Sequence, residues 1–141
     1  MRALIILSGA IASLMVIIVG SMVPSAILIP ILDWPVKSLT LNISWQIPAV
    51  LLSAISLGVR PAIIASVAYI TIGLFYLPIF HGGGSIGYLL TPDFGYLFGF
   101  VPAAIVCGTL AKRFKKNIFL GLTGSAMIGI LTIHITGILN L

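Results

Sequence analysis

The chain has 141 residues, of which 60% are hydrophobic and only 6% are charged. A soluble domain averages about 25% charged residues, so this chain has too few charges to cover the surface of a water-soluble globule. It holds two Asp and no Glu, which disfavours general acid–base chemistry, and we predict that it is not an enzyme. The single Cys107 excludes an internal disulfide and any multi-cysteine metal site. These counts indicate a membrane protein.

The seven Lys and Arg residues give a net charge of +5 and a pI near 9.8. A basic protein of this kind can bind nucleic acid only if its cations share a solvated face. Here most cations separate long apolar runs, so they indicate membrane topology, and we predict no nucleic-acid partner.

Charged residues divide the chain into five charge-free stretches. A helix needs about 20 apolar residues to cross about 30 Å of hydrocarbon, and two crossings with a turn would need roughly 40. Each stretch is therefore long enough for one crossing and too short for two. The sequence predicts an all-α membrane protein, a compact polytopic bundle of five transmembrane helices in one domain over residues 1–141. The stretches are Ala3–Leu32, Ser38–Val59, Pro61–Pro92, Phe94–Ala111 and Asn117–Leu141.

Proline and glycine positions set the predicted ends of the helices. Pro24 and Pro30 end the first helix, and an irregular connection is expected over Pro24–Thr40. The second helix begins at Trp45 or one to two turns earlier. A glycine-rich loop follows the third helix over His81–Asp93. The predicted helices are Ala3–Val23, Trp45–Leu57, Ala62–Leu77, Phe94–Leu110 and Ile118–Leu139.

The Lys and Arg residues of the short loops indicate the orientation, because cytoplasmic loops carry an excess of them. A cytoplasmic N-terminus leaves only Lys37 outside and places both long connections on the outer face. We therefore predict a multi-pass protein of the cell membrane, embedded in the lipid bilayer, with its N-terminus in the cytoplasm. The cations then placed inside are Arg2, Arg60, Lys112, Arg113, Lys115 and Lys116.

Small residues recur at a spacing of four, which lets helix backbones approach closely in lipid. One stripe runs through the fourth predicted helix and another through the fifth; the first predicted helix has two shorter pairs. Internal packing explains all of them. Alternatively, a pair on the first helix faces a different membrane subunit. These residues are Gly95, Gly99, Ala103 and Cys107; Gly121, Ser125 and Gly129; and the pairs Ser8/Ala12 and Gly9/Ser13.

The densest polar cluster is the glycine-rich loop. Its glycines satisfy G-x-G-x-x-G, but the dinucleotide-binding motif needs a preceding strand and a βαβ unit, and here the flanks are membrane helices. No Walker ATP-binding motif is present either. The loop can instead hold a small, mostly apolar ligand at the outer mouth of the bundle. A flexible linker is the other interpretation. The candidate residues are Gly83, Gly84, Ser85, Tyr88, Asp93 and Tyr96.

Three further polar residues are considered: Gln46 and His134 outside the loop, and His81 at its first position. Gln46, at the outer end of the second predicted helix, can turn its amide into the bundle toward the loop. His81 and His134 lie far apart along the chain and lack Cys or carboxylate partners, so we predict neither a metal nor any other cofactor.

Several motifs resemble the BioY family. They are Leu57-Gly58-x-Arg60; Ala68-Tyr69-x-x-x-Gly73-Leu74; Leu77-Pro78-x-Phe80-x-Gly82-Gly83-Gly84; Gly87-x-Leu89-Leu90-x-Pro92; and Gly95-Tyr96-Leu97-x-Gly99-Phe100. The resemblance covers about residues 20–110. It implies a six-helix bundle that binds biotin from outside, as the substrate-binding component of an energy-coupling factor vitamin transporter. It also implies a transmembrane T component and two ATPase subunits as partners.

Carried over by position, the resemblance places biotin against Gln46, Gly83, Gly84, Ser85, Tyr88, Asp93 and Tyr96, with residues 24–40 as a lid. It also implies that the first helix contacts the T component, through Ser8/Ala12 or Gly9/Ser13. The family's sixth helix has no counterpart here. Two alternatives therefore stay open: a truncated or degenerate member with a structural role and no ligand, or a component for another small vitamin.

Overall fold

The computed structural model describes residues 1–29, 37–81, 83–114 and 118–141. Six α-helices and one two-stranded sheet lie in the described part, together with a 3₁₀ turn over Ile86–Leu90. The predicted helical membrane fold is confirmed, with ends that mostly move by one to three residues. The elements are α1 Arg2–Met22, β1 Pro24–Ile29, β2 Lys37–Ser44, α2 Gln46–Ser56, α3 Val59–Phe75, α4 Asp93–Phe98, α5 Phe100–Arg113 and α6 Ile118–Leu139.

Three helical segments are long and apolar enough to cross a membrane: α1, the continuous pair α4–α5, and α6. α2 has 11 residues and α3 has 17. At a rise of 1.5 Å per residue these two are about 16 and 25 Å long. Two of the five predicted crossings are therefore shorter than the usual hydrocarbon thickness.

The fourth predicted helix is divided at Gly99, between α4 and α5. Pro102 lies in the first turn of α5 and has no amide hydrogen to donate to the preceding turn. The amides of Gly99 and Ala103 still donate to the carbonyls of Gly95 and Gly99, at 3.1 and 3.0 Å. The two helices therefore stay in series across this break.

The irregular connection predicted over Pro24–Thr40 is wrong for its described residues, which form an antiparallel hairpin. β1 pairs with β2, with Ile29 opposite Lys37 and Ser25 opposite Leu41. The sequence contains the pattern of a β-strand here, since Leu39, Leu41 and Ile43 alternate with polar residues at period two. The hairpin also excludes the earlier start considered for the second helix.

Helices meet at glycines whose missing Cβ leaves room for a neighbouring element. A Cβ on Gly108 of α5 would lie 2.9 Å from the carbonyl oxygen of Ala54 in α2. A Cβ on Gly99 would lie 3.0 Å from Cα of Ile133 in α6. Such close approach replaces the hydrophobic effect as the source of helix association in lipid. The predicted packing stripes on the fourth and fifth helices are thus used internally.

The two small pairs of α1 point in different directions. A Cβ on Gly9 would lie 3.2 Å from Pro61, and Ser13 is fully buried. Ser8 and Ala12 are exposed, and Ser8 Oγ donates to the carbonyl of Ile5 in its own helix, at 3.1 Å. The pair Gly9/Ser13 therefore packs inside the bundle, and Ser8/Ala12 faces outward.

Gly108→Ala should destabilise the bundle, because the new methyl group meets the backbone of α2. Overpacking of this kind costs about 1–3 kcal/mol. The matched control is Gly124→Ala in α6, where a Cβ meets nothing within 4 Å. Thermal unfolding in detergent should show a lowered Tm for Gly108→Ala alone. Equal Tm values for both variants would contradict the close α2–α5 contact.

Candidate functional site

A single carbonyl group fixes the start of the glycine-rich loop. The oxygen of Ile79 accepts a hydrogen bond from the Tyr69 hydroxyl of α3, at 3.0 Å. It also accepts from Ser21 Oγ of α1, at 2.8 Å, whose one hydrogen is shared with the Ile18 carbonyl at 2.7 Å. Away from water, hydrogen bonds hold their partners firmly because no solvent competes for them. The chain just before the loop is therefore attached to the end of α1 and to the second half of α3.

The next residues form a tight turn closed on itself. The Phe80 amide donates to the Gly83 carbonyl at 2.8 Å, and the Gly83 amide donates to the Phe80 carbonyl at 3.0 Å. Gly83 has φ of +128°, which side chains other than glycine rarely adopt. Since its N–H group is already donated, Gly83 shapes the loop but has no amide hydrogen left for a ligand.

An aromatic cluster packs this turn against the bundle. The Phe80 ring is 5% exposed and packs on Gly73 of α3. Its centroid lies 5.4 Å from that of Tyr69, edge to face, and 4.8 Å from that of Tyr88. Aromatic pairs at these separations add about 0.5–1.5 kcal/mol beyond burial. The described residues of the turn are thus packed against the bundle.

Tyr88 closes the far side of the turn. Its hydroxyl donates to the His81 carbonyl at 3.2 Å. Burial, with the nearby Asp93 carboxylate as a second cause, raises the pKa of Tyr88 above its usual value. The phenol therefore stays protonated at neutral pH and keeps this hydrogen bond.

Gly84 and Ser85 differ sharply in their surroundings. A Cβ on Gly84 would lie 2.6 Å from the Gly73 carbonyl oxygen and 2.8 Å from Cα of Pro78. This position lies flat against backbone, so only glycine fits. Ser85 is exposed, as is Asp93 at the first turn of α4. These two side chains offer a hydroxyl and a carboxylate to solvent above the fixed turn.

The Tyr96 side chain packs against α6. Its ring lies against Gly137 of α6 and is perpendicular to the ring of His134, with centroids 5.9 Å apart. Gln46 is 7% exposed at the first turn of α2. The structure therefore groups the loop residues with Asp93 and places Tyr96 in the α4–α6 contact. Gln46 lies at the head of α2.

Sequence reasoning missed the residues that hold the loop: Ser21, Tyr69 and Phe80. The available signal was a hydroxyl group in an apolar span, which must find a hydrogen-bond partner where no water is present. That rule predicts that the hydroxyl group forms a hydrogen bond, but it does not identify the partner. Ile79 lies 58 residues from Ser21 in the sequence.

An apolar groove of about 670 Å³ runs between α1, α2 and α6. Trp45, which is 53% exposed, lies beside Gly20 and Val23 along it. No residue of the glycine-rich loop lines this groove. Its walls can hold hydrocarbon but offer few polar groups to orient a ligand.

The described residues contain no group of three His, Cys, Asp or Glu side chains that could hold a metal ion. The glycine-rich loop presents a packed backbone turn and aromatic faces. Ser85 adds an exposed hydroxyl group and Asp93 a carboxylate. Such a set can bind a small uncharged or weakly polar molecule by shape and hydrogen bonds.

Comparison with known proteins finds a match to the BioY family model over residues 2–141. A Lysinibacillus sphaericus protein named "Probable biotin transporter BioY" is 45% identical over 71 residues, covering 50% of this chain and 36% of that protein. The "Biotin transporter BioY" of Thermotoga maritima is 36% identical over 96 residues, covering 66% of this chain and 54% of that protein. Neither name denotes an enzyme.

An uncharacterized 21.2 kDa protein of Cyanophora paradoxa is 31% identical over 104 residues. The match covers 73% of this chain and 54% of that protein. The chain thus spans about half the length, or less, of the curated relatives it matches. No solved structure matches it.

Gly84→Ala should disorder the loop, because its methyl group would meet immovable backbone on α3 and at Pro78. Gly87→Ala is the matched control, since its Cβ meets only Ser85 Oγ at 3.4 Å. Hydrogen exchange in detergent should show faster exchange of the Phe80 and Gly83 amides in Gly84→Ala, by about tenfold or more for a cost of 1.4 kcal/mol. Unchanged exchange in that variant would contradict the close packing of the turn.

Proposed function

This chain belongs to the BioY family, and on that premise we propose that it captures biotin as the membrane component of a biotin uptake system. Support comes from the two relatives that carry the name biotin transporter. The observation that carries the proposal is the glycine-rich turn, which two hydroxyl groups fix at the Ile79 carbonyl. A turn fixed in advance does not lose conformational entropy when a ligand binds.

The proposed biotin site lies above this turn. Biotin has a ureido ring, with two N–H donors and a carbonyl acceptor, joined to an apolar ring and an aliphatic tail. Asp93 can accept from the ureido N–H groups, and Ser85 can donate to the ureido carbonyl. Tyr88 supplies an aromatic edge beside them. The full proposed set is Gln46, Gly83, Gly84, Ser85, Tyr88, Asp93 and Tyr96, with Gly83 acting through loop shape.

We further propose that an energy-coupling module drives uptake, consisting of a transmembrane T component and two ATPase subunits. This chain has no Walker motif, so hydrolysis of ATP would require another subunit. Ser8 and Ala12 form a flat, exposed patch on α1 because the Ser8 hydroxyl is bonded within its own helix. A flat patch of small residues permits close approach of a partner helix in lipid.

We propose a cell-membrane location with a cytoplasmic N-terminus. Arg2 begins α1, and Gly9 of the same helix contacts Pro61, next to Arg60. Lys112 lies over Gly58, so these cations share one end of the bundle. Hydroxyl bonds from α1 and α3 place the glycine-rich loop at the other end. The positive-inside rule assigns the cationic end to the cytoplasm.

Titration of the purified full chain with biotin by calorimetry tests the site. We expect saturable heat at micromolar ligand and about tenfold or more weaker binding by Asp93→Ala, since a hydrogen bond to a charged group contributes about 1.5–3 kcal/mol. Phe119→Ala is the control because Phe119 is 82% exposed at the start of α6. Binding of another vitamin in place of biotin would favour a different substrate, and no binding at all would favour a structural role.

Replacement of Ser8 and Ala12 by leucine tests the partner surface. The two bulky side chains should reduce co-purification with a co-expressed energy-coupling module at least tenfold while leaving biotin binding unchanged. Met15→Leu is the control, because Met15 is also exposed on α1 but is already large. Full co-purification of the double variant would place the interface elsewhere.

A further inference from the structure

A second groove lies at the cationic end of the bundle, where α5 ends and α6 begins. It measures about 720 Å³, within the range of about 300–1,000 Å³ typical of ligand sites. Among the described residues that line it, Lys112 is the one cation and the other side chains are apolar. The lining residues are Ala111, Lys112, Phe114, Ile118 and Leu122.

Side-chain packing holds together the two helix ends that form this groove. Phe114 lies directly against Gly121 of α6, so its side chain bridges the end of α5 and the start of α6. Phe114 and Ile118 remain 53% and 68% exposed. Apolar side chains exposed here can contact the acyl chains of the bilayer.

The Lys112 ammonium is exposed and faces no acidic side chain among the described residues. Lys112 Nζ lies 3.8 Å from the Cβ position of Gly58, so the ammonium group sits above the α2–α3 turn. Arg113 follows it at the end of α5. The chain has two acidic residues. Asp93 begins α4, about 30 Å from Lys112 along the helical axis at 1.5 Å per residue, and Asp33 lies outside the described residues.

We propose that this groove is a binding site for an anionic phospholipid. The phosphate pairs with the Lys112 ammonium, and an acyl chain lies along Phe114, Ile118 and Leu122. Charge complementarity selects the occupant, because a cation beside an apolar groove between membrane helices matches a negative headgroup joined to hydrocarbon. A zwitterionic lipid presents the same hydrocarbon but no net charge. Inorganic phosphate presents the charge but no hydrocarbon.

Native mass spectrometry of the delipidated full chain in detergent tests the site. Phosphatidylglycerol is titrated against phosphatidylcholine with the same acyl chains, and against inorganic phosphate. We expect retained phosphatidylglycerol in the wild type and about fivefold lower occupancy in Lys112→Gln. Arg2→Gln is the matched control, since it removes the same charge at the same end of the bundle. Arg2 begins α1, which packs on α2 and α3, whereas the groove lies between α5 and α6.

Leu122→Trp supplies an independent variant, because it fills the groove without changing any charge. It should lower phosphatidylglycerol occupancy as Lys112→Gln does. Equal losses in Lys112→Gln and Arg2→Gln would show general attraction to the cationic end and overturn the site. Equal retention of phosphatidylcholine, retention of inorganic phosphate alone, or no retained lipid in the wild type would overturn it as well.

Discussion

Close backbone approach at small residues is the constraint on which the rest of this bundle depends. Lipid does not drive apolar helices together, so contact between backbones and side chains must do so. Gly108 lies against the Ala54 carbonyl, and Gly99 lies against Ile133. These crossings set how α5 and α6 sit relative to α2 and to each other. They also leave α1 with one small pair inside and the pair Ser8/Ala12 outside.

The glycine-rich loop also depends on close backbone approach at glycine residues. Gly84 can lie on the backbone of α3 because it has no side chain, and the Phe80 ring fills the space above Gly73. Ser21 and Tyr69 then satisfy one carbonyl, that of Ile79, from two helices. The described part of the loop is thereby packed on two helices, which favours a defined shape for a small-molecule site.

Charge divides the bundle into two chemically different ends. Arg60, Lys112 and Arg113 lie near one end, and Asp93 lies with the glycine-rich loop at the other. The proposed ligand site uses hydrogen bonds and aromatic faces, whereas the proposed lipid site uses one cation and hydrocarbon. The two sites therefore depend on different physical interactions and can be altered separately.

The amino-acid sequence by itself determined the apolar helices, their approximate ends and the family, because hydropathy and the spacing of Gly and Pro are local properties. It also contained the alternation at Leu39 and Leu41 that predicts a strand, which was read as an irregular connection. Only the tertiary structure decided that Tyr96 packs on α6, that the Gly83 amide is already used, and that Ser21 and Tyr69 hold Ile79. Those facts depend on contacts between residues far apart in the chain, and no local pattern encodes such contacts.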